Sequence, residues 1–591
     1  MMKFNKGSVF ERSILLLFAA GLIIFYGFFY YQHLYQKEQL QLFELTFQYF
    51  IAKISCHGGF TDWFGEFFIQ FFRLPFAGAV TITFFSLLLW LLTKRILSMY
   101  SRQPAALIFS LLPAAGYAIL LLDDYYSLSG LTGLLLALCA ALFYMKISGT
   151  WFRILTGFIL IPVIYWLAGA SFMVFVLIII VSEILHRTEK GNSAVPAWAL
   201  CLFLLITIVL PLFARQFIFK DTLLQAFISE SYYKIRIFFP LPLILIFISL
   251  PLFMALQYWL VPLIAEKHQG VSIGISLLLL LILIIYGIHI KGDFKEEKRM
   301  AYENLVYKEE WDKIISKAEK EKPSGQGSMI AVNLALAKTG QLSSKMFLFS
   351  QGKRNLLPEY SNMGMTPFIA SDVYYQLGLF NFAQMFALET IESTIDVKYP
   401  SRSFRRAAET FMLNGQYDIA GKYFKPLSHT IFYGKWAKEC LLLAGNEEKI
   451  NSHPYWGDMR RLGSRYDFYY NINKADIPLK YLLISNPDNK TAYEYLMAYY
   501  LLQKDFDGFI AFLPLYKKFN YSGLPLFWQE AAAYIETRVP QVPSQLANIS
   551  IDNDVIDHIR SYASAFVTER HDTIKMKKDF GNTYWFYLFY R

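Results

Sequence analysis

Residues 152–185 read FRILTGFILIPVIYWLAGASFMVFVLIIIVSEIL, and the number of times this stretch crosses a membrane decides on which side the rest of the chain lies. As one helix its 34 residues would be about 51 Å long, too long for a ~30 Å hydrocarbon core to absorb by tilt. At its middle, Tyr165-Trp166-Leu167-Ala168-Gly169-Ala170-Ser171 supplies an interfacial aromatic belt followed by small residues that permit a sharp turn. The stretch is therefore expected to form a tight hairpin of two short spans.

Working outward, seven further apolar runs come close to membrane length: Ile14–Tyr31, Leu74–Leu92, Ala105–Leu122, Leu128–Tyr144, Val195–Phe213, Ile237–Val261 and Ile273–Ile290. With the hairpin they make nine spans. The first follows Lys3, Lys6, Glu11 and Arg12 and runs into aromatic residues, with no small-residue cleavage site, so it reads as an uncleaved span with its N-terminus inside. Nine spans then leave the C-terminal half outside. Inside loops carry 11 Lys and Arg against 7 outside with the hairpin and 12 against 6 without it, so the charge rule does not decide and the length argument carries the topology. Lys291, Lys295, Lys298 and Arg299, just past the last span, pull the other way.

Composition separates the halves. The chain of 591 residues is 55% hydrophobic and 17% charged, against about 25% charged for an average soluble protein. Residues 1–290 hold 18 Lys and Arg and 12 Asp and Glu; the remaining 301 hold 38 and 34. A membrane half (1–290, with a first loop over 32–73) thus precedes a half with soluble balance (296–591). This excludes a purely soluble enzyme, a disulfide-rich secreted scaffold and a disordered protein. Six of the ten net positive charges lie in the membrane half, where they orient helices, and no nucleic-acid motif accompanies them, so no nucleic acid is expected as partner. Cys139 and Cys201 lie in apolar runs and read as packing residues. Cys56 and Cys440 would pair only if their segments met in an oxidising space.

From about Glu296 the pattern is helix, short turn, helix. In Ala407–Phe424, small Ala408 and Ala420 allow close helix approach, Gly415 turns the chain, and Phe411, Tyr417 and Phe424 are placed to fill the seam. This resembles the tetratricopeptide repeat and implies an α-solenoid of degenerate repeats. Weaker units are Ala492–Leu515, Asn333–Gly340, Tyr375–Ala387 and the helix beginning Glu310-Trp311. A solenoid of this kind presents a surface to a protein or peptide partner, or else caps its own membrane half. The end of the chain, Gly581 to Arg591, is too aromatic for a free solvated tail and is expected to dock on the repeats or the bilayer. The fold class is all-α: a polytopic helical bundle followed by a helical repeat array.

No Walker A loop, GxGxxG, HExxH or GxSxG is present, which argues against an ATPase, a nicotinamide enzyme, a zinc protease or an α/β-hydrolase. Few ionisable groups sit deep in the spans, which disfavours ion-coupled transport. Polar groups gather instead at the first loop. There Leu40–Ile54 is amphipathic and, with the Phe-rich stretch that follows, is expected to lie in the interface plane. His57-Gly58-Gly59 offers a turn that brings backbone near a ligand. Asp62 and Glu66, four apart, share a helix face; two carboxylates there raise each other's pKa, which suits a general base. The plainer reading makes Asp62 a cap and leaves Glu66 solvated. Asp123-Asp124, in a short loop on the same side, suits metal or hydroxyl binding, or merely faces water. Arg73, Arg215, Lys220, Lys234 and Arg236 add positive charge there, for a phosphate or for membrane lipid headgroups.

This layout resembles the GT-C class of membrane glycosyltransferases, in which a long first outer loop with interface helices carries one acid and the next outer loop another. The resemblance implies a polyprenyl-phosphate-linked sugar as donor, Asp62 (or Glu66) as catalytic base, and Asp123 and Asp124 organising the donor phosphate through a divalent cation. His57, Arg73 and Arg215 would then contact substrate. In that class the acid follows the first span closely, whereas Asp62 lies about 30 residues beyond Tyr31; Glu38 and Glu44 are nearer. The chain as a whole is similar to multi-spanning proteins of Bacteroidota with repeat-like tails, which implies an inner-membrane location with a periplasmic C-terminal half. The alternative function is a non-enzymatic membrane-anchored scaffold that recruits an envelope partner.

Overall fold

The structure is a computed structural model describing residues 6–100, 105–124, 126–190, 194–228, 241–259, 269–358, 366–393, 399–464, 476–538, 543–546 and 549–591. It divides into two compact units: Met1–Glu297 with Ile395–Lys398 and His429–Ile431, and Lys298–Thr394 with Tyr399–Ser428 and Phe432–Arg591.

In the first unit, α1 (Lys6–Ile24) runs through a π turn (Phe25–Phe29) into α2 (Tyr31–Gln39). The first loop continues with α3 (Phe47–Ile54) and α4 (Gly59–Ile69). The bundle follows: α5 (Ala77–Leu97), α6 (Ala105–Leu120), α7 (Leu128–Met145), α8 (Thr150–Ala168), α9 (Ser171–Lys190) and α10 (Ala197–Phe217). Short α11 (Leu223–Phe227), α12 (Leu241–Trp259) and α13 (Gln269–Lys291) complete it, and α14 (Phe294–Tyr307) belongs to the second unit from Lys298 on. Eight helices among the described residues are long and apolar enough to cross a membrane, and Phe109–Leu120 within α6 is a shorter apolar helix. The 152–185 stretch is two helices that pack on each other, α8 and α9, divided at Gly169, whose φ of 52° suits a residue without Cβ.

Side-chain bonds sort the helix ends into two sets. At one end, Glu11 pairs with Lys94, the Tyr100 hydroxyl donates to Ser182 at 2.9 Å, and Glu183 accepts from Tyr144 and from the Val195 N–H while facing Arg153 at 3.3 Å. Thr188 and Tyr258 hydroxyls meet there too, at 2.8 Å. At the other end lie the first loop, the start of α7, the close of α8 and the end of α13. In the centre, aliphatic and aromatic side chains of α5, α6, α7, α9 and α12 form one continuous core.

Three local expectations are corrected. Leu40–Ile54 is not one amphipathic helix: 40–45 is non-helical and mostly buried, and α3 begins only after Thr46, whose hydroxyl caps it by accepting from Tyr49 N–H at 3.1 Å. Cys139 and Cys201 face outward instead of into the core. Cys440 is buried, and all four thiols are free.

The second unit is a run of short helices: α15 (Trp311–Glu321), α16 (Gln326–Lys338), α17 (Leu342–Lys345), α18 (Thr366–Leu377), α19 (Phe380–Ser393), α20 (Ser401–Leu413), α21 (Tyr417–Leu427) and α22 (Gly434–Leu443). Then come α23 (Glu447–Ser452), α24 (Pro454–Leu462), α25 (Asp476–Ser485), α26 (Lys490–Gln503), α27 (Phe506–Phe512), α28 (Leu526–Arg538), α29 (Asn553–Glu569), α30 (Thr573–Phe580) and α31 (Tyr584–Tyr590). Each of α18 to α22 packs on the next. In the α20–α21 pair Ala408, Ala420 and Phe424 are fully buried, while the Tyr417 hydroxyl leaves the seam to bond Arg460 and Glu447. The aromatic end docks within this unit. Tyr584 and Tyr587 hydroxyls donate to Leu501 and Leu502 carbonyls at 3.2 and 2.8 Å, and Trp585 Nε1 donates to Glu530 O at 2.8 Å.

Candidate functional site

Helix α4 sets the geometry. Its acids and small residues, Thr61, Asp62, Gly65 and Glu66, are buried, while Phe60, Trp63, Phe64, Phe67 and Phe68 are only partly covered. The face is inverted relative to a soluble amphipathic helix, because an apolar surrounding medium accepts the rings and polar groups must find partners inside. Gly65 permits the contact: a Cβ there would stand 2.7 Å from the Ser129 backbone at the start of α7.

Asp62 and Glu66 do share a face, as their spacing predicts, but a cation missed from the sequence stands between them. Lys53 Nζ, from α3, donates to Asp62 Oδ2 at 2.8 Å and to Glu66 Oε1 at 2.9 Å. Tyr49 hydroxyl donates to Glu66 Oε2 at 2.6 Å, and Ser129 Oγ to Asp62 Oδ1 at 2.9 Å. Burial alone would lower the Lys53 pKa; the two carboxylates outweigh it and hold the ammonium well above its ordinary value. Burial, then Glu66, pushes the Tyr49 phenol up, so it stays a donor. Repulsion between the acids is thus relieved by a shared counter-charge.

The His57-Gly58-Gly59 turn approaches its own chain. Gly58, at φ 75°, donates its N–H to Trp166 O at 2.7 Å, and Trp166 Nε1 donates to Ile54 O at 3.0 Å. His57 stacks between Tyr165 and Phe219, with Nε2 3.0 Å from Gln225 O and Nδ1 3.5 Å from Asp221 Oδ2. Arg73, half-buried, lies 3.9 Å from Glu38, a buried acid nearer to the first span than Asp62. Arg215 is exposed and donates Nε to Asp221 O at 3.1 Å. Lys234 and Arg236 lie outside the described residues.

The second acidic pair has its own unforeseen lysine. Lys37 from α2 is buried and donates to the carbonyls of Leu121, Asp123 and Tyr126 at 2.9, 2.8 and 3.0 Å. Burial lowers its pKa, against the opposing pull of Asp124 and Asp123. The Asp123 carboxylate instead takes Lys291 Nζ at 2.9 Å. No cluster of three His, Cys, Asp or Glu able to hold a metal exists among the described residues. Both acid groups nevertheless flank the same end of α7, through Ser129 and through the 121–126 loop that precedes it.

Comparison with known proteins gives one match. A family of unknown function (DUF6057) covers residues 8–591. The chain belongs to that family. No curated protein and no solved structure matches it.

Proposed function

We propose that this family member is a membrane-surface enzyme that transfers a sugar from a polyprenyl-phosphate donor at the outer face of the inner membrane. Its C-terminal half, read as a degenerate repeat array, would lie on that same side. The observation that carries the reading is the convergence of Asp62, Glu66, Asp123, His57 and Asp221 on one end of the bundle, with the opposite end closed around Glu183. Counting α6, nine apolar helices alternate between those two ends, and Lys291 finishes at the first-loop end. That alternation supports a reading of nine crossings.

In this reading Lys53 balances the paired charge of Asp62 and Glu66, and the Asp62 carboxylate is the proton acceptor. An acceptor hydroxyl entering beside Asp62 would displace the Ser129 or Lys53 bond and hand over its proton. Arg73 or Arg215 would supply the positive charge at the donor phosphate. No step runs through a metal.

The alternative, a membrane-anchored scaffold, draws on a different fact: hydrogen bonds reach all four carboxylate oxygens of Asp62 and Glu66, as a purely structural network requires. Asp62→Asn and Glu66→Gln, singly and together in the full chain, separate the two. The enzyme reading expects lipid-linked sugar to accumulate and envelope glycans to change while the protein remains folded in the membrane. Unchanged glycans with normal protein levels would leave the scaffold.

A further inference from the structure

The membrane unit contains a groove that the acid site does not use. It lies between α1, α6 and α13, encloses about 250 Å³, and is lined among others by Gly21, Phe25, Ala118, Leu122, Ile284 and Ile288. Its opening has a structural cause. Helix α13 sits tight on α6, where a Cβ on Gly287 would come within 2.6 Å of Ile119 Cδ1, and α1 packs instead on α5. At Gly21 the α1 wall is open, since a Cβ there would meet no atom within 4 Å. Tyr26 also lines the groove, but its hydroxyl is committed to Ala118 O. What remains is hydrocarbon wall at hydrocarbon depth, which water does not fill and lipid chains do.

The mouth is different. Toward the first-loop end the lining finishes at Leu122 and Ile288. Asp123 follows Leu122, and Lys291 continues the Ile284–Ile288 stripe of α13 at helical spacing. Lys291 and Asp123 bridge there at 2.9 Å, and the Lys291 side chain is 30% exposed. An apolar trough that ends at a half-exposed ammonium matches an amphiphile with one chain and an anionic head.

We propose that this groove seats one hydrocarbon chain of a phospholipid-type membrane lipid, with its phosphate on Lys291 in place of Asp123. The site stands whether or not the first-loop acids transfer a sugar. Its test uses the full chain in phosphatidylethanolamine vesicles containing, as minor component, phosphatidylglycerol with a diazirine midway along one chain. After irradiation, adducts mapped by mass spectrometry should concentrate on residues 17–26 and 284–288. The lipid-facing surface of α10, where Leu205 and Ile208 are exposed, should carry fewer. Gly21→Phe, which fills the groove from its open wall, should reduce groove adducts several-fold. Gly274→Phe, at an equally open position outside the lining, should leave them unchanged. Lys291→Gln should also lower them several-fold. Labelling spread evenly over α10 and the groove, and insensitive to Gly21→Phe, would overturn the site. Groove labelling indifferent to Lys291→Gln would overturn the placement of the phosphate.

Discussion

Each unit buries an ion cluster, and the two are mirror images in charge. In the membrane unit one cation, Lys53, is shared by two acids. In the repeat unit one acid, Asp372, is shared by two cations, Arg402 and Arg406, and Glu409 is shared by Arg405 and Arg406. Their surroundings differ as well. Arg406 lies 3.6 Å over the Tyr375 ring, Arg402 stacks near Tyr307 and Phe368, and Arg405 near Tyr307 and Trp436, so aromatic faces complete the guanidinium coordination. Lys53 keeps 21% of its side chain exposed, against 2% for Asp372. The Asp372 group with Arg402 and Arg406 is therefore sealed, whereas Lys53 and Asp62 of the membrane cluster keep some access to solvent.

That difference orders the expected effects. Asp372→Ala would remove the carboxylate shared by two buried guanidiniums, leaving Arg406 on Glu409 alone, and should cost the second unit on the order of 3–5 kcal/mol, read as loss of its cooperative unfolding transition or of the protein itself. Lys53→Met removes the shared cation of the other cluster. Because that site is partly solvated, a smaller loss is expected, seen as a lowered Tm of the solubilised full chain. Equal losses would erase the contrast between sealed and accessible clusters. Gly65→Ala should cost about 1–3 kcal/mol by forcing α4 away from backbone atoms of α7 that cannot yield, and unchanged stability would show that the contact is slack.

The pH response of the repeat unit should be smaller and of opposite sign at its two limits. Asp372 has its pKa lowered: burial raises it, but Arg402 and Arg406 outweigh burial. Its contribution is present above the ordinary carboxylate range and is lost in acid. Burial pushes Glu494 up to about 7 and Glu530 up to about 8, offset in part by Tyr521 and Lys490 and by the Tyr584 N–H respectively. Their contributions are complete below the ordinary carboxylate range and vanish as pH rises through 7 and 8. Thermal unfolding should thus occur at progressively lower temperature from pH 5 to pH 9, and Glu530→Gln should flatten the upper part of that slope.

Hydropathy made the membrane helices legible, since an apolar medium imposes composition on every segment that crosses it. The break at Gly169 was readable for the same reason: length forbids one helix, and small residues mark where the chain turns. Lys37 and Lys53 were not readable. A lysine in a short amphipathic helix looks solvated, and only tertiary packing brings Lys53 against two acids of the following helix or Lys37 against three carbonyls of a distant loop. The orientation of α4 was hidden by its aromatics, which suggest a buried face in water and an outer one here. Asp62 and Glu66 could be paired from their spacing alone; the counter-charge that fixes their chemistry could not.

The proposed topology of nine crossings would put the first loop and the C-terminal half on the same side of the membrane. Cys56 is native and exposed in the first loop, whereas Cys440 is buried, with its thiol pushed up to about 12 by burial and Glu409, and cannot report. Val567, 80% exposed, can carry the second probe as Val567→Cys. With Cys139, Cys201 and Cys440 changed to Ser, each position alone should react with a membrane-impermeant maleimide on intact cells. Labelling of Cys56 on intact cells together with labelling of position 567 only after permeabilisation would contradict the account.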